Sequence, residues 1–352
     1  MKPIGGATGL ALSAIYGAGI RLRHALYDRG ILPVRTLPVP VWSIGNLTVG
    51  GTGKTPVTAF LAAELRALGA RPAILSRGYG RRSEKSRVVV PTDEEPAGLD
   101  AALYGDEPIL LRRRLPDTPI VLAADRFEAG DYACRAFDPD IILLDDGLQH
   151  RRLARTRELI VLDGSEPFGN GRLIPAGTLR EQPGRGLVAD WHLVNETAGR
   201  SPACAKTLDA ACFGSPRALF RYVAGRVILP DGGEEDPLQW GTRPIWACSG
   251  IGNPDSFLSL LGRSGFRVAG HRGFRDHHRF TRRELTALAS DARAAGSAIV
   301  TTEKDWLRIP DEARRRFAVH ALSVELEWTG GEDAFRAWIA GALKGDRFGG
   351  SS

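Results

Sequence analysis

The stretch that decides the fold is Val39–Thr55, "VPVWSIGNLTVGGTGKT". An apolar run, Val39–Ile44, leads into a glycine-rich loop ending in Gly-Lys-Thr. Apolar residues then recur at helical spacing over Thr55–Leu68. Strand, loop and helix in that order build a phosphate cradle. Gly50, Gly51 and Gly53 let backbone N–H groups converge on phosphate oxygens. Lys54 is placed to reach the β- and γ-phosphates, the Thr55 hydroxyl to bind Mg²⁺, and the helix adds its positive N-terminal end. The usual pattern, G-x-x-x-x-G-K-[ST], asks for glycine where this chain has Thr48, so the reading rests on the surrounding strand and helix. Thr48, Val49, Gly50, Gly51, Thr52, Gly53, Lys54 and Thr55 are the expected nucleotide-binding residues.

Outward from the loop, short β-rich runs alternate with helical stretches. Strands are expected at Val39–Ile44, Pro72–Leu75, Pro119–Ala123, Asp140–Leu144, Glu158–Leu162 and His192–Val194, with helices such as Thr55–Leu68 and Glu107–Leu115 between them. That alternation predicts an α/β fold of the P-loop NTPase type, a mostly parallel sheet covered by helices. In such sheets ligands bind beyond the carboxyl ends of the strands. Those ends carry Asn46, "SRGYG", "ADR", "DDGLQH" and "DG". Glycine, proline and acid at 229–244 read as a linker to a smaller C-terminal α/β domain. There Asn253 and Pro254 open one helix and "TRREL" (Thr281–Leu285) forms a capping box. The expected division is 1–36 N-terminal helix, 37–230 P-loop core, 231–244 linker, 245–345 C-terminal domain and 346–352 flexible tail.

The net charge of +6 and a pI near 9.3 imply an anionic partner: nucleotide, nucleic acid or membrane surface. Four scattered cysteines, Cys134, Cys204, Cys212 and Cys248, have neither C-x-x-C nor zinc spacing, which argues against a disulfide framework or a zinc site. Near the N-terminus, Arg21 and Arg23 interrupt the apolar run, so it is too short to span a bilayer. Leu10, Ala14, Ala18, Leu22 and Ala25–Leu26 recur at helical spacing beside Arg21, His24 and Arg29. This predicts an amphipathic helix, either packed on the core or lying in a membrane interface. The phosphate loop places the protein in the cytoplasm in either case.

Three further segments carry chemistry. "DIILLDDG" (Asp140–Gly147) is an apolar strand ending in two carboxylates, the form of a magnesium-binding Walker B element; a turn after a buried strand would look the same. In "GDEP" (Gly105–Pro108), Asp106 is either a helix N-cap or a base for an acceptor hydroxyl. In "RDHHRF" (Arg275–Phe280), the paired histidines are either surface residues or an imidazole oriented by Asp276 for acid–base work. Two classes fit: a kinase acting near a membrane, and a nucleotide-switch ATPase or GTPase. The switch ATPases carry a second loop lysine where this chain has Val49. The nearest guanine-recognition candidate, "TTEKD" (Thr301–Asp305), has the wrong spacing.

The segments "VPVWSIGNLTVGGTGKTP", "ILSRGYGRR", "GDEP", "ADR", "ILLDDGLQHRRL", "LIPAGTLRE", "GIGNPDSF", "DHHRF" and "TTEKDWLR" run in order over nearly the whole chain. Together they resemble the tetraacyldisaccharide 4'-kinase family, in which the Thr48 departure is ordinary. The resemblance implies transfer of the ATP γ-phosphate, with Mg²⁺, to the 4'-hydroxyl of a tetraacylated glucosamine disaccharide 1-phosphate in lipid A biosynthesis. The site implied is the cytoplasmic face of the inner membrane of a Gram-negative cell, with the enzyme peripheral or monotopic. No nucleic acid or obligate protein partner is expected. By position, the resemblance makes Asp106 the catalytic base and His277 its partner from the second domain. It places Asp145, Asp146 and Glu181 near the metal. It aims Asn46, Arg77, Tyr79, Arg126, Gln149, His150 and Arg180 at the acceptor.

Overall fold

The structure is a computed structural model that describes residues 3–50, 52–79, 81–82, 86–94, 96–197, 206–209, 212 and 214–348. Its backbone is a single 13-stranded sheet in the order β11-β10-β12-β13-β8-β7-β6-β1-β5-β2-β4-β3, with β9 hooked onto β8. The first lobe is built on β1 (Val41–Gly45), β2 (Pro72–Ser76), β4 (Ile120–Leu122), β5 (Ile141–Asp145), β6 (Arg157–Asp163) and β7 (Trp191–Asn195). These strands pair in parallel, as the alternation predicted, while the two-residue β3 (Val88–Val89) closes the edge antiparallel to β4. The central strands are buried on both faces, which explains why they read as continuous apolar runs.

β1 sits between β5 and β6, whereas the chain leaving it passes through helix α2 (Lys54–Ala67) to β2, on the far side of β5. The order therefore reverses at β1, and the crevice beyond its carboxyl end is where α/β sheets bind ligands. The Val39–Gly45 run and the paired carboxylates of β5 meet there because β1 and β5 are neighbours in register, with Ile44 opposite Asp145.

The second lobe comprises β10 (Pro244–Ser249), β11 (Arg267–Gly273) and β12 (Ala298–Thr302). It also holds helices α6 (Pro254–Arg263), α7 (Arg282–Ala294), α8 (Glu303–Arg308) and α9 (Asp311–Phe317). Asn253 caps α6 with Pro254 in its first turn, and Thr281 with Glu284 forms the expected capping box on α7. The two lobes are joined by a feature the composition hid. β8 (Arg217–Ile228) and β13 (Val319–Gly330) are long antiparallel partners that fuse both sheets into one. The 231–244 stretch is ordered, with β9 (Glu234–Glu235) paired to β8 and Pro237–Trp240 forming a 3-10 turn.

Helix α10 (Glu332–Phe348) follows the second lobe in sequence but packs back on the first. Trp338 lies against Trp42 with ring centroids 5.4 Å apart, and Phe335 against Trp191 at 5.1 Å. Such aromatic pairs each contribute about 0.5–1.5 kcal/mol beyond burial of area. The helix continues past position 346, where the sequence led us to expect a tail. Asp346 accepts a 2.7 Å hydrogen bond from Trp42 Nε1 and pairs with Arg157 at 2.8 Å.

The N-terminal helix α1 (Gly6–Asp28) forms, but its faces are the reverse of the core-packing expectation. Gly9, Ser13 and Gly17 are the buried positions, while Leu10, Leu12, Ile15 and Leu22 are exposed, Ile15 to 68%. Small residues let the helix lie close to the first lobe: Ser13 Oγ donates to Leu173 O at 2.7 Å and accepts from Ala176 N at 2.9 Å. Leu10 and Leu22 lie on the exposed side, and Ala14 and Ala18 are exposed beside them. Among the described residues no helix is long and apolar enough to cross a membrane.

Candidate active site

The phosphate loop is held open by its own side chains. Asn46, fully buried at the end of β1, donates from Nδ2 to Thr48 O at 2.8 Å and to Thr52 Oγ1 at 3.0 Å. Gly50 and Gly53 take φ of +122° and +99°, the left-handed region that glycine adopts without strain. Gly53 has a second constraint: a Cβ there would lie 2.0 Å from the hydroxyl of Tyr222, which reaches over from β8 and donates to Gly53 O at 2.9 Å. Asn195 at the end of β7 adds a 3.3 Å hydrogen bond to Thr52 O. Val49 N donates to Thr178 O at 2.7 Å, tying the loop to the 173–181 segment. Because the N-cap of α2 is Gly53, no side chain caps the helix. Its first-turn N–H groups are thus available to an anion. Gly51 lies outside the described residues.

Lys54 donates to Asn46 Oδ1 at 3.0 Å and lies 3.5 Å from Asp146 Oδ1. Arg180 completes this cluster with two 2.9 Å bonds to Asp146, one to Asn46 Oδ1 and a 3.1 Å bond to Thr48 O. Burial works against charge on Asp146, but Lys54 and Arg180 outweigh it and hold the carboxyl below the usual range. Asp145 differs. Its partners are two hydroxyls, Thr58 at 3.0 Å and Ser76 at 3.5 Å. Burial, with the Glu107 and Asp146 charges adding, pushes its carboxyl up to about 7. A buried carboxylate with hydroxyl partners beside a second carboxylate fits a hard cation such as Mg²⁺. The buried Thr55 hydroxyl lies in the first turn of α2. Glu181, the third carboxylate expected at the metal, is turned to α1 and is engaged by His24 Nε2 at 2.8 Å.

The residues expected at the acceptor fall into three groups, of which the first, Asn46 and Arg180, belongs to the loop cluster just described. Gln149, His150 and Arg126 sit at the ends of β5 and β4. Gln149 Nε2 donates to Asn46 O at 3.1 Å, and His150 Nε2 accepts from Arg126 N at 3.3 Å. Burial beside Arg126 depresses His150 to about 4, so its ring is neutral and able to accept. Arg126 is 4% exposed, with Nη1 on the carbonyls of Ala123 and Ala124. Burial, then repulsion by Arg77, lowers its pKa to about 10. Arg77 and Tyr79 are exposed on the loop after β2, and the Tyr79 ring meets the edge of His277 with centroids 5.7 Å apart.

Asp106 and His277, 171 positions apart, come together across the two lobes. Gly105, with φ +85°, is the N-cap of α4 (Asp106–Arg114), and the Asp106 side chain makes no cap. It points across to the second lobe instead. Arg308 Nη2 donates to Asp106 Oδ2, and His277 Nδ1 lies 3.5 Å from the same oxygen. Burial opposes charge on Asp106, but His277, Arg308 and Lys304 together hold its carboxyl well below the ordinary range. The Asp106 contact in turn raises the His277 pKa. His278 faces away, stacked on Phe274 at 4.7 Å and 3.0 Å from the α7 capping residue Glu284. Asp276, expected to orient the imidazole, accepts from the His277 backbone N–H at 3.0 Å.

Several residues at these contacts escaped the sequence reading: Thr58, Asn195, Tyr222, Lys304 and Arg308. The last two lie in "TTEKDWLR", a segment that carries the family resemblance and whose first five residues were weighed as a guanine motif, with no role given to either side chain. Lys304 and Arg308 are spaced i, i+4 on α8, one face of a helix, and each meets an acid at the start of α4. Lys304 Nζ bonds Glu107 Oε1 at 2.6 Å. Glu107 is held down foremost by Lys304 and feels Lys54 as well, so it links the two halves of the site electrostatically.

A parallel sheet with a glycine loop at its switch point, a lysine reaching into that loop and paired carboxylates beside it defines a P-loop nucleotide-binding protein. An acid and an imidazole meeting from separate lobes are the added feature. The chain belongs to the tetraacyldisaccharide-1-P 4'-kinase family, whose model matches residues 7–344. It is similar to the tetraacyldisaccharide 4'-kinase of Geobacter sulfurreducens, 39% identical over 317 residues that cover 89% of this chain and 87% of that one. It is also similar to that of Anaeromyxobacter dehalogenans, 41% identical over 350 residues covering 97% and 91%. Among solved structures it is similar to the "apo" form of LpxK from Aquifex aeolicus in complex with ATP. The TM-score is 0.73 at 30% identity, over 95% of this chain and 98% of that one.

Proposed function

We propose that this kinase transfers the γ-phosphate of ATP to the 4'-hydroxyl of a tetraacylated glucosamine disaccharide 1-phosphate, at the cytoplasmic face of the inner membrane. Membership of the family and the ATP named with the Aquifex relative support this reading. The observation that carries it is the meeting of Asp106 and His277 across the lobes, with Glu107 beside Asp106 in electrostatic reach of Lys54 and Asp145.

In this reading the loop from Thr48 to Thr55 cradles the triphosphate. Lys54 exchanges its contacts with Asn46 and Asp146 for phosphate oxygens. Thr55, Asp145 and Asp146 would hold Mg²⁺, with Glu181 nearby, and the ion would supply charge neutralisation to the phosphates. Asn46, Arg77, Tyr79, Arg126, Gln149, His150 and Arg180 contact the acceptor. Asp106 aligns the 4'-hydroxyl and takes its proton, and His277 holds the carboxylate from the second lobe. A carboxylate of low basicity suffices, because phosphoryl transfer is largely dissociative and little proton transfer is needed before the transition state.

The outward face of α1 supports the membrane assignment. Leu10, Leu12, Ile15 and Leu22 stand exposed on the helix, beside the exposed Arg21 and Arg29. Apolar side chains flanked by cations suit an interfacial helix, and each cation near an anionic surface adds on the order of 1 kcal/mol. The test is transfer of label from γ-labelled ATP to the lipid disaccharide in micelles, for the wild type and Asp106→Ala. Label on the sugar in the wild type, and a fall of about 10²–10⁴-fold in kcat with ATP still bound in the variant, is expected. Hydrolysis without labelled lipid, or an unchanged variant, overturns the reading.

A further inference from the structure

We infer that Arg308 is a positioning residue for the transfer site, locking the Asp106 carboxylate and the His277 imidazole into one arrangement across the lobes. This rests on the proposed role of Asp106 and extends it to a residue outside both the phosphate loop and the Asp106–His277 contact.

Arg308 ends helix α8, and its side chain, like that of Asp106, is only 6% exposed. One branch of the guanidinium is anchored in its own lobe. Nη1 donates to Gly250 O at 3.0 Å and to Asp305 Oδ1 at 2.9 Å. The other branch, Nη2, donates to Asp106 Oδ2 and lies 3.2 Å from His277 Nδ1. The anchor also fixes the histidine, since Gly250 O accepts the His277 N–H at 3.1 Å. Asp305 fastens the far side, accepting from Gly250 N at 2.8 Å and Thr302 Oγ1 at 2.6 Å. This explains the glycine at 250: a Cβ there would lie 2.9 Å from Asp305 Oδ1 and 3.1 Å from Arg275 O. A planar fork serves two lobes at once, which a lysine ammonium cannot reproduce.

The arrangement does more than tie lobes together. Lys304 and Glu107 make a parallel inter-lobe pair one helical turn away, and no hydrogen bond joins either of them to His277 among the described residues. Asp106 is faced by Arg308 and Lys304 from α8, His277 from the turn after β11, and Glu107 on its own helix. Of these Arg308 is the cation in direct contact. Without it, only His277 and Lys304 remain to oppose burial, and the carboxyl moves upward.

The experiment measures kcat, ATP KM and urea unfolding from pH 5 to 9 with ATP, Mg²⁺ and lipid acceptor, for Arg308→Met, Arg308→Lys and Asp106→Asn. Arg308→Met is expected to lower kcat about 10²-fold with ATP KM within about threefold, and to move the acid limb of kcat upward. Arg308→Lys, which keeps the charge and serves as readout should the methionine variant not fold, recovers part of kcat and leaves the limb between the two. An acid limb that stays at its wild-type position in whichever variant folds overturns the inference, even if kcat falls, because a purely structural role lowers the rate at every pH. Full turnover in Asp106→Asn removes the base reading on which this rests. An inactive Asp106→Asn with an unmoved limb removes Arg308 alone.

Discussion

The phosphate loop and the Asp106–His277–Arg308 cluster are held in different ways. Ten consecutive residues, Asn46 to Thr55, supply the loop, and their partners come from strand ends of one lobe, the 173–181 segment and the adjoining β8. The cluster joins residues 202 positions apart and exists only while two lobes sit together. A local device keeps its shape through glycine backbone geometry and hydrogen bonds from side chains close by. A cross-lobe device keeps its shape through ion pairs, so it can be altered without disturbing the loop. Damage to one half should therefore appear in different kinetic constants from damage to the other.

The largest expected effect is on the loop. Lys54→Ala should weaken ATP binding and cut kcat together, by 10³-fold or more in kcat/KM, on the order of 4 kcal/mol of transition-state stabilisation. His277→Ala should instead lower kcat by about 10–10²-fold while the ATP dissociation constant stays within about twofold. His278→Ala, whose partner is the capping residue Glu284, should leave kcat within about twofold and lower stability by about 1 kcal/mol. Steady-state kinetics with calorimetric ATP titration decides this. An ATP affinity that falls equally in Lys54→Ala and His277→Ala would mean that the two halves act as one unit.

The same contrast explains what was legible in the sequence. The parallel core strands, α2, the loop and the carboxylates of β5 were readable because each is a contiguous pattern with a fixed period or spacing. Asp106 and His277 were reached through resemblance, not through any local signal that they touch. Arg308 lay inside a quoted segment yet stayed unread, since nothing in "TTEKDWLR" reveals an acid 202 positions away. The β8–β13 ribbon was hidden because its strands start 102 positions apart, at Arg217 and Val319, with glycine, proline and charge between them. For helix α1 the sequence leaves core packing and an interfacial position both open, and the structure departs from the first. Leucines at helical spacing ordinarily mark the inward face, but here Gly9, Ser13 and Gly17 make the close contact and the leucines point outward.

That reversal gives the next prediction. Replacing Leu10, Ile15 and Leu22 together by serine should reduce recovery with anionic vesicles by about tenfold or more, with kcat on a short-chain, water-soluble acceptor within about twofold. The outward face would then act in recruitment alone. The inner face of α1 is tied to residues of the proposed site: Tyr16 donates to Arg180 O at 3.0 Å, Arg23 to Gln149 O at 2.7 Å, and His24 engages Glu181. A triple variant that loses turnover on the soluble acceptor would show that the helix also shapes the site, and would place α1 with the cross-lobe cluster rather than apart from it.

The smallest effect concerns stability in acid, a background against which both halves must be measured. His192 on β7 is fully buried, and burial depresses it to about 4, as it does His150. An unfolded histidine titrates near 6.5. Between about 4 and 6.5 the unfolded chain therefore binds more protons than the folded one. Stability rises with pH across that window and is lost as pH falls through it. His192→Leu removes one such proton, so the slope of unfolding free energy against pH should flatten by up to about 1.4 kcal/mol per unit within the window. At pH 7.5 stability should stay within about 1.5 kcal/mol of wild type, a buried polar ring having been exchanged for an apolar side chain of similar volume. Urea unfolding at pH 4.5, 5.5, 6.5 and 7.5 measures both quantities. An unchanged slope would mean that His192 is protonated in the folded core, and that acid sensitivity in the first lobe comes from His150 and the carboxylates around the loop.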